Sequence, residues 1–236
     1  MRPSESRISR SCPEPELFNE LLELDAKRIL ELGCGRADIT RVIANEGTER
    51  SIVALEVDQV QHRLNEFITD LPNVEFIMAG AESIPFPDAS FDVAFMFKSL
   101  HHVPLDLMDK AMAEVKRVLR PGGFAYISEP IFAGDFNDIL KIFHNEEKVR
   151  MAAFKAVKRA VDSGLFALAS ETFFLSPMHF DHFADFEHKI IGATHTQHRL
   201  SPELLARVKA KFESHMTSNG ANFQMPIRVD LLKVSS

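Results

Sequence analysis

Short apolar runs alternate along this chain with longer stretches whose apolar residues recur every three or four positions. The runs centre on Ile29, Leu30 and Leu32, on Ile52 to Leu55, on Val74 to Met78, on Phe91 to Phe97 and on Phe124 to Ile127. Ile52 to Leu55 shows no alternation, the mark of a parallel strand covered on both faces. Between the runs lie helical stripes. Ile39, Val42 and Ile43 begin one, and Val60, Leu64, Phe67 and Ile68 form the apolar side of the next. Leu105, Met108, Met112, Val115 and Leu119 define a third over Pro104 to Leu119, stopped by Arg120-Pro121-Gly122-Gly123. Ahead of the first strand, Pro13-Glu14-Pro15-Glu16 starts a helix with acids at its positive end. Leu17, Phe18, Leu21, Leu22 and Leu24 are its apolar side, and residues 1–12 before it read as a loose polar tail. Five strands alternating with helices predict an α/β fold with a doubly wound, parallel sheet.

The second half is patterned less regularly. Phe136, Ile139, Leu140, Phe143, Val149, Ala153, Val157 and Val161 predict one long or broken helix. Glu171 to Leu175 reads as a sixth strand, Ser201-Pro202-Glu203 as the start of a helix carrying Leu204, Leu205, Val208 and Phe212, and Phe223 to Val234 as a closing strand. A chain of 236 residues can bury a full core, and one domain with an elaboration is expected. Its parts are a lead-in over 1–27, a core over 28–130, and a helical cover with closing strands over 131–236.

Candidate chemistry concentrates after the first strand. Gly33 and Gly35 allow backbone angles that a Cβ forbids and let a ligand lie against the main chain. A helix opening there points free N–H groups at that ligand. A dinucleotide site of the form G-x-G-x-x-G would want a small residue where Asp38 stands, a poor fit. The pattern E-x-G-x-G-x-[GA] is met by Glu31, Gly33, Gly35 and Ala37. Glu56 stands about twenty residues beyond the turn, at a strand tip, where a carboxylate can accept both hydroxyls of a ribose. Asp58 competes for that role but is placed to cap the following helix.

These residues resemble the first two motifs of the class I S-adenosylmethionine-dependent methyltransferases. Later phrases carry the resemblance on. Ala79-Gly80-Ala81-Glu82-Ser83-Ile84-Pro85-Phe86 is similar to the family's adenine loop, with Gly80 where an Asp is usual. Lys98-Ser99-Leu100-His101-His102-Val103 is similar to the motif after its fourth strand. Arg117-Val118-Leu119-Arg120-Pro121-Gly122-Gly123 is a phrase of its small-molecule, ubiquinone/menaquinone-methyltransferase-like members. The resemblance covers about residues 28–130. It implies a mostly parallel, seven-stranded Rossmann-like sheet whose last strand is antiparallel. It also implies S-adenosylmethionine held by Glu31, Gly33, Cys34, Gly35, Ala37, Glu56, Val57, Gly80, Ala81, Glu82 and Phe97, with the cover closing over a small-molecule acceptor.

Methyl transfer from a sulfonium needs alignment and exclusion of water more than activation. His101 and His102 are the candidate catalytic groups, either as a general base or, for His102, as a packing surface for the cofactor. The alternatives are a methyltransferase acting on RNA, DNA or protein, an aminopropyl transferase, and a non-catalytic S-adenosylmethionine-binding protein. The N-[IL]-P-[YF] signature of base methylation is absent after the fourth strand, where Phe97-Lys98-Ser99-Leu100 stands. A net charge of −7 also argues against a broad nucleic-acid face. His144, His179, His182, His188, His195 and His198 show no H-E-x-x-H or other ligand spacing, so no metal site is expected. No apolar run spans a bilayer and no secretory signal is read, and the only cysteines, Cys12 and Cys34, fit a reducing cytoplasm.

Overall fold

A computed structural model describes residues 1–192 and 199–235. In chain order the elements are α1 (Glu14–Leu21), β1 (Arg28–Leu32), α2 (Asp38–Asn45), β2 (Ser51–Glu56), α3 (Gln59–Asn65), β3 (Val74–Met78) and β4 (Phe91–Phe97). Next come α4 (Met108–Val118), β5 (Leu119–Pro130), α5 (Asp135–Leu140), α6 (Glu147–Asp162) and β6 (Ala167–Phe180). The chain ends with α7 (Phe183–Phe186), α8 (Pro202–Glu213), β7 (Met216–Thr217) and β8 (Gly220–Lys233). The strands form one sheet in the order β3-β2-β1-β4-β5-β8-β6, with the two-residue β7 paired to β8 as an eighth strand. The first five strands pair in parallel, and β8 runs antiparallel between β5 and β6.

The apolar runs form the centre of this sheet because both of its faces are covered. Leu30, Val53, Ala94 and Ala125 pack on one side with Met108, Met112 and Val115 of α4 and with Val157 of α6. Ile29, Ile52, Val93 and Phe95 pack on the other with Phe18 of α1 and Ile43 of α2. Beyond Pro130, which pairs with Ile227, β6 and β8 continue together as a ribbon to the pair Phe180 and Ala221. This ribbon carries a third, smaller core in which Phe180, Phe186, Phe212 and Phe223 meet at the carboxyl edge of the parallel strands. The cover is therefore built on an extension of the sheet itself.

Three features depart from the pattern read in the sequence. The stripe of α3 is inverted: Gln61 and Asn65 are buried, whereas Val60, Leu64 and Phe67 are exposed. The cause is the turn beneath the helix, whose Gly35 carbonyl accepts from Asn65 Nδ2 at 2.8 Å. A polar side chain reaches that carbonyl where an apolar one would leave it unpaired. Residues 10–12 are not loose. Leu175 N donates to Arg10 O at 2.9 Å, Cys12 N donates to Leu175 O at 3.2 Å, and Cys12 is buried. Helix α4 begins at Met108 rather than Pro104, and β5 begins at Leu119 rather than Phe124. The helical stretch from Phe136 to Val161 takes the broken one of its two expected forms, as α5 and α6.

Candidate functional site

The carboxyl edge of the sheet holds two groups of side chains. The first surrounds the turn after β1. Gly33 (φ +74°), Gly35 (φ +52°) and Ala37 (φ +60°) are all left-handed, and together they reverse the chain into α2. A Cβ on Gly33 would lie 2.8 Å from the Ser99 Cβ, so the turn and the tip of β4 are in direct contact. Ser99 Oγ closes this contact by donating to Leu32 O at 2.7 Å. Gly35 instead faces open space, and its N–H donates to Glu56 Oε2 at 2.8 Å. Glu56 Oε1 accepts from Val57 N at 2.7 Å and Asp58 N at 2.8 Å. One carboxylate thus ties the turn to the tip of β2. Asp58 caps α3, accepting from Val60 N and Gln61 N.

The other expected cofactor residues differ in depth. Glu31 lies under the turn, 2% exposed, and accepts from Thr40 Oγ1 at 2.7 Å. Burial, reinforced by the charges of Glu56 and Glu14 and opposed by Thr40, pushes its carboxyl up to about 7. Cys34 is buried, and burial raises its thiol far above the usual range, so the thiolate a nucleophile needs is disfavoured. Val57 is exposed beside Glu56, and Ala81 is buried in the loop after β3. A Cβ on Gly80 would meet the Glu82 carboxylate, which occupies the space left by the missing side chain. The Phe97 ring stacks on Phe95 at 4.9 Å and is buried.

The second group stands at the tips of β4 and β5. Lys98, left-handed at φ +55°, reaches back to Glu14 of α1 at 2.5 Å. Leu100–His102 then form a 3₁₀ turn. His101 is buried, its Nδ1 2.5 Å from Glu129 Oε2, while Glu129 Oε1 accepts from Leu100 N at 2.9 Å. His101 Nε2 lies 3.5 Å from Glu146 Oε1. His144 Nε2 lies 3.0 Å from that same oxygen, and Arg150 binds Glu146 Oε2 at 2.6 Å. Burial alone would lower the His101 pKa, but the two carboxylates outweigh it and push it up to about 9. Glu129 and Glu146 are correspondingly held below the usual carboxylate range despite their burial, by His101 in each case and by Arg150 on Glu146. His102 is exposed, its ring centroid 4.1 Å from that of His101. The adjacent histidines are thus placed differently. A ring held as imidazolium has no lone pair to accept a proton, which leaves His102 as the better placed base.

Glu129 and Glu146 escape a reading of the sequence because each meets His101 from a separate element, with no local spacing to mark the contact. His101, His102 and Glu146 each offer a ligand atom within 4.8 Å of the others, a grouping the histidine spacings do not reveal. Of the remaining histidines, His179 lies between Asn222 and Asp181, and His182 caps α7. His188 lies in the π-helical segment Glu187–Ile191 after α7, and His195 and His198 fall outside the described residues.

Residues 30–127 match the family model described as a methyltransferase domain. The chain is similar to a methyltransferase domain over this segment. Over 103 residues it is 34% identical to phthiotriol/phenolphthiotriol dimycocerosates methyltransferase 1 of Mycobacterium ulcerans, covering 44% of this chain and 37% of that protein. Over 102 residues it is 30% identical to a fatty-acid O-methyltransferase of Mycolicibacterium smegmatis, covering 43% and 36%. The chain spans little more than a third of the length of these relatives. The whole fold is similar to that of the YcgJ protein of Bacillus subtilis, with a TM-score of 0.67, 17% identity and coverage of 94% and 97%. It is also similar to the [4+2]-cyclase SpnF, with a TM-score of 0.59, 20% identity and coverage of 93% and 79%. These likenesses show a shared fold over nearly the whole chain. The matched segment ends just before Glu129, so Glu129, Glu146 and Arg150 all lie outside it.

Proposed function

We propose that the protein transfers a methyl group from S-adenosylmethionine to a small-molecule acceptor by in-line displacement. The observation that carries this reading is the turn Gly33 to Ala37 with its N–H groups at the sheet edge, pinned by Glu56, within the matched domain. Glu56, Val57 and the loop of Gly80, Ala81 and Glu82 would line the cofactor, with Glu31, Cys34 and Phe97 supporting the turn and the β4 tip from below. The phenylalanine-rich core of the cover and the names of the two relatives, one acting on dimycocerosates and one on fatty acids, support an apolar acceptor. Fold alone is a weak guide to the reaction, since a cyclase shares it. Two free cysteines support a cytoplasmic location, and the acidic balance supports the expectation that nucleic acid is not a partner. No described helix is long and apolar enough to cross a membrane.

Calorimetry with S-adenosylhomocysteine and with NAD tests the cofactor, and only the first should bind. Tritiated methyl transfer into a fractionated cell extract, followed by mass identification of the labelled product, then tests the acceptor. Binding of NAD with no response to the sulfur nucleoside would sink the reading.

A further inference from the structure

We propose that His101, His102 and Glu146 form a binding site for a divalent first-row transition metal ion at the tip of β4. Two imidazoles and a carboxylate are a donor set that suits zinc, iron(II) or manganese. The site lies where β4, β5 and the start of α6 converge, at the edge where ligands bind in open α/β sheets.

The spacing supports this assignment. His101 Nε2 and Glu146 Oε1 are 3.5 Å apart, beyond the usual range of an N–H···O bond. Two ligands at 2.0–2.1 Å from one tetrahedral ion stand about 3.3–3.4 Å apart. All three donors lie within 4.8 Å, so a small movement of the exposed His102 ring brings them onto one ion.

The groups behind the donors are those a metal site uses. His101 presents Nε2 because Nδ1 is engaged by Glu129 at 2.5 Å, the carboxylate–imidazole arrangement that orients a metal-bound histidine. Glu146 presents Oε1 because Arg150 holds Oε2 at 2.6 Å. Glu146 lies at the N-terminal boundary of α6, yet its side chain makes no capping hydrogen bond and turns toward His101. His144 also reaches Glu146 Oε1, at 3.0 Å, and that contact yields when the ion binds. Binding requires the Nε2 proton of His101 to leave to solvent, and the dication then supplies to Glu129 and Glu146 the positive charge that the proton had supplied.

Three protein donors leave a coordination position for an acceptor oxygen. Resting on the proposed function, the ion would lower the pKa of an acceptor hydroxyl, whose proton leaves to solvent. The oxygen would then attack the methyl carbon as the carbon–sulfur bond breaks and its electron pair returns to sulfur. The site itself does not depend on that role.

The test uses the full, untagged chain, stripped with EDTA and desalted. Zinc chloride is titrated by calorimetry, and cobalt(II) is followed by its visible d–d absorption. The expected result is one ion per chain, with cobalt absorption typical of a four- or five-coordinate nitrogen and oxygen site. His102→Ala, which removes an exposed ring, and Glu146→Gln should each weaken binding by at least about tenfold. If Glu146→Gln does not fold by circular dichroism, His102→Ala and His101→Gln decide. No zinc heat and no cobalt spectrum from protein that still binds S-adenosylhomocysteine would overturn the proposal. So would affinities unchanged in the folded variants, which would place the ion on other surface histidines. Metal binding by a chain that does not bind the sulfur nucleoside would sustain the site and remove the methyl-transfer role.

Discussion

The cofactor half and the histidine half of the sheet edge sit side by side but are built in opposite ways. At the first, main chain does most of the work: three left-handed residues within five, and N–H groups of Gly35, Val57 and Asp58 gathered on one carboxylate. At the second, side chains do it: His101, Glu129, Glu146 and Arg150 form a buried network of charges drawn from three separate parts of the chain, with the half-buried His144 at its margin. A site made of backbone can accept many sequences around a few glycines. A site made of buried charges depends on each partner, because removing one leaves another unpaired in a low dielectric.

That contrast can be broken by mutation. The largest effect is expected in the histidine half. Glu129→Ala removes the partner of the buried His101 and the acceptor of the Leu100 N–H, and should cost about 3–5 kcal/mol in urea unfolding. Glu129→Gln keeps an acceptor and should cost less. A loss below about 1 kcal/mol for the alanine variant would mean the network is not a buried unit.

A smaller effect is expected from Glu31, the one strongly desolvated acid of the cofactor half. Its carboxyl rises from 4.5 to about 7 on folding, so the folded protein holds the proton more tightly than the unfolded chain. The associated stability is complete below pH 4.5 and is lost as the pH rises through about 7, a swing of order 3 kcal/mol. Glu31→Gln should abolish this slope and leave the protein more stable at pH 8. Parallel stability profiles for the two proteins between pH 5 and 8 would show that Glu31 does not titrate there.

The smallest effect belongs to Glu56. Glu56→Ala should weaken S-adenosylhomocysteine binding by about 1–3 kcal/mol in calorimetry while the fold survives, because the residue lies at a strand tip. An unchanged dissociation constant would shift the ribose contact to Asp58 and remove Glu56 from the comparison.

The same contrast explains what could be read before the fold was seen. The turn, Glu56 and the capping Asp58 are local patterns, so a stretch from Arg28 to Asp58 contains nearly everything needed to place them. The parallel strands are legible because burial on both faces leaves continuous apolar runs. The face of α3 is not legible, because Asn65 is buried by a carbonyl some thirty residues away and periodicity carries no record of it. Nor are the contacts of Glu129 and Glu146 with His101, which lies 28 and 45 positions from them in the chain. The full length of β6 is obscured for a third reason. Most of its residues are only half-buried, so it lacks the unbroken apolar run of the central strands.

The position of β8 has a consequence for synthesis. All of β1 to β5 leaves the ribosome by Pro130, but the outer edge of β5 acquires its neighbour only when Gly220–Lys233 has been made, some ninety residues later. Strand β6 arrives in the interval and cannot close that edge, since it pairs with β8 and not with β5. At ordinary elongation rates the nascent sheet therefore shows bare N–H and C=O groups from Phe124 to Pro130 for roughly 5–20 s. A chain stopped near residue 130 would contain the whole matched domain and still present that open edge to its neighbours. Its solubility would then be limited by strand-to-strand aggregation, even with every cofactor residue in place.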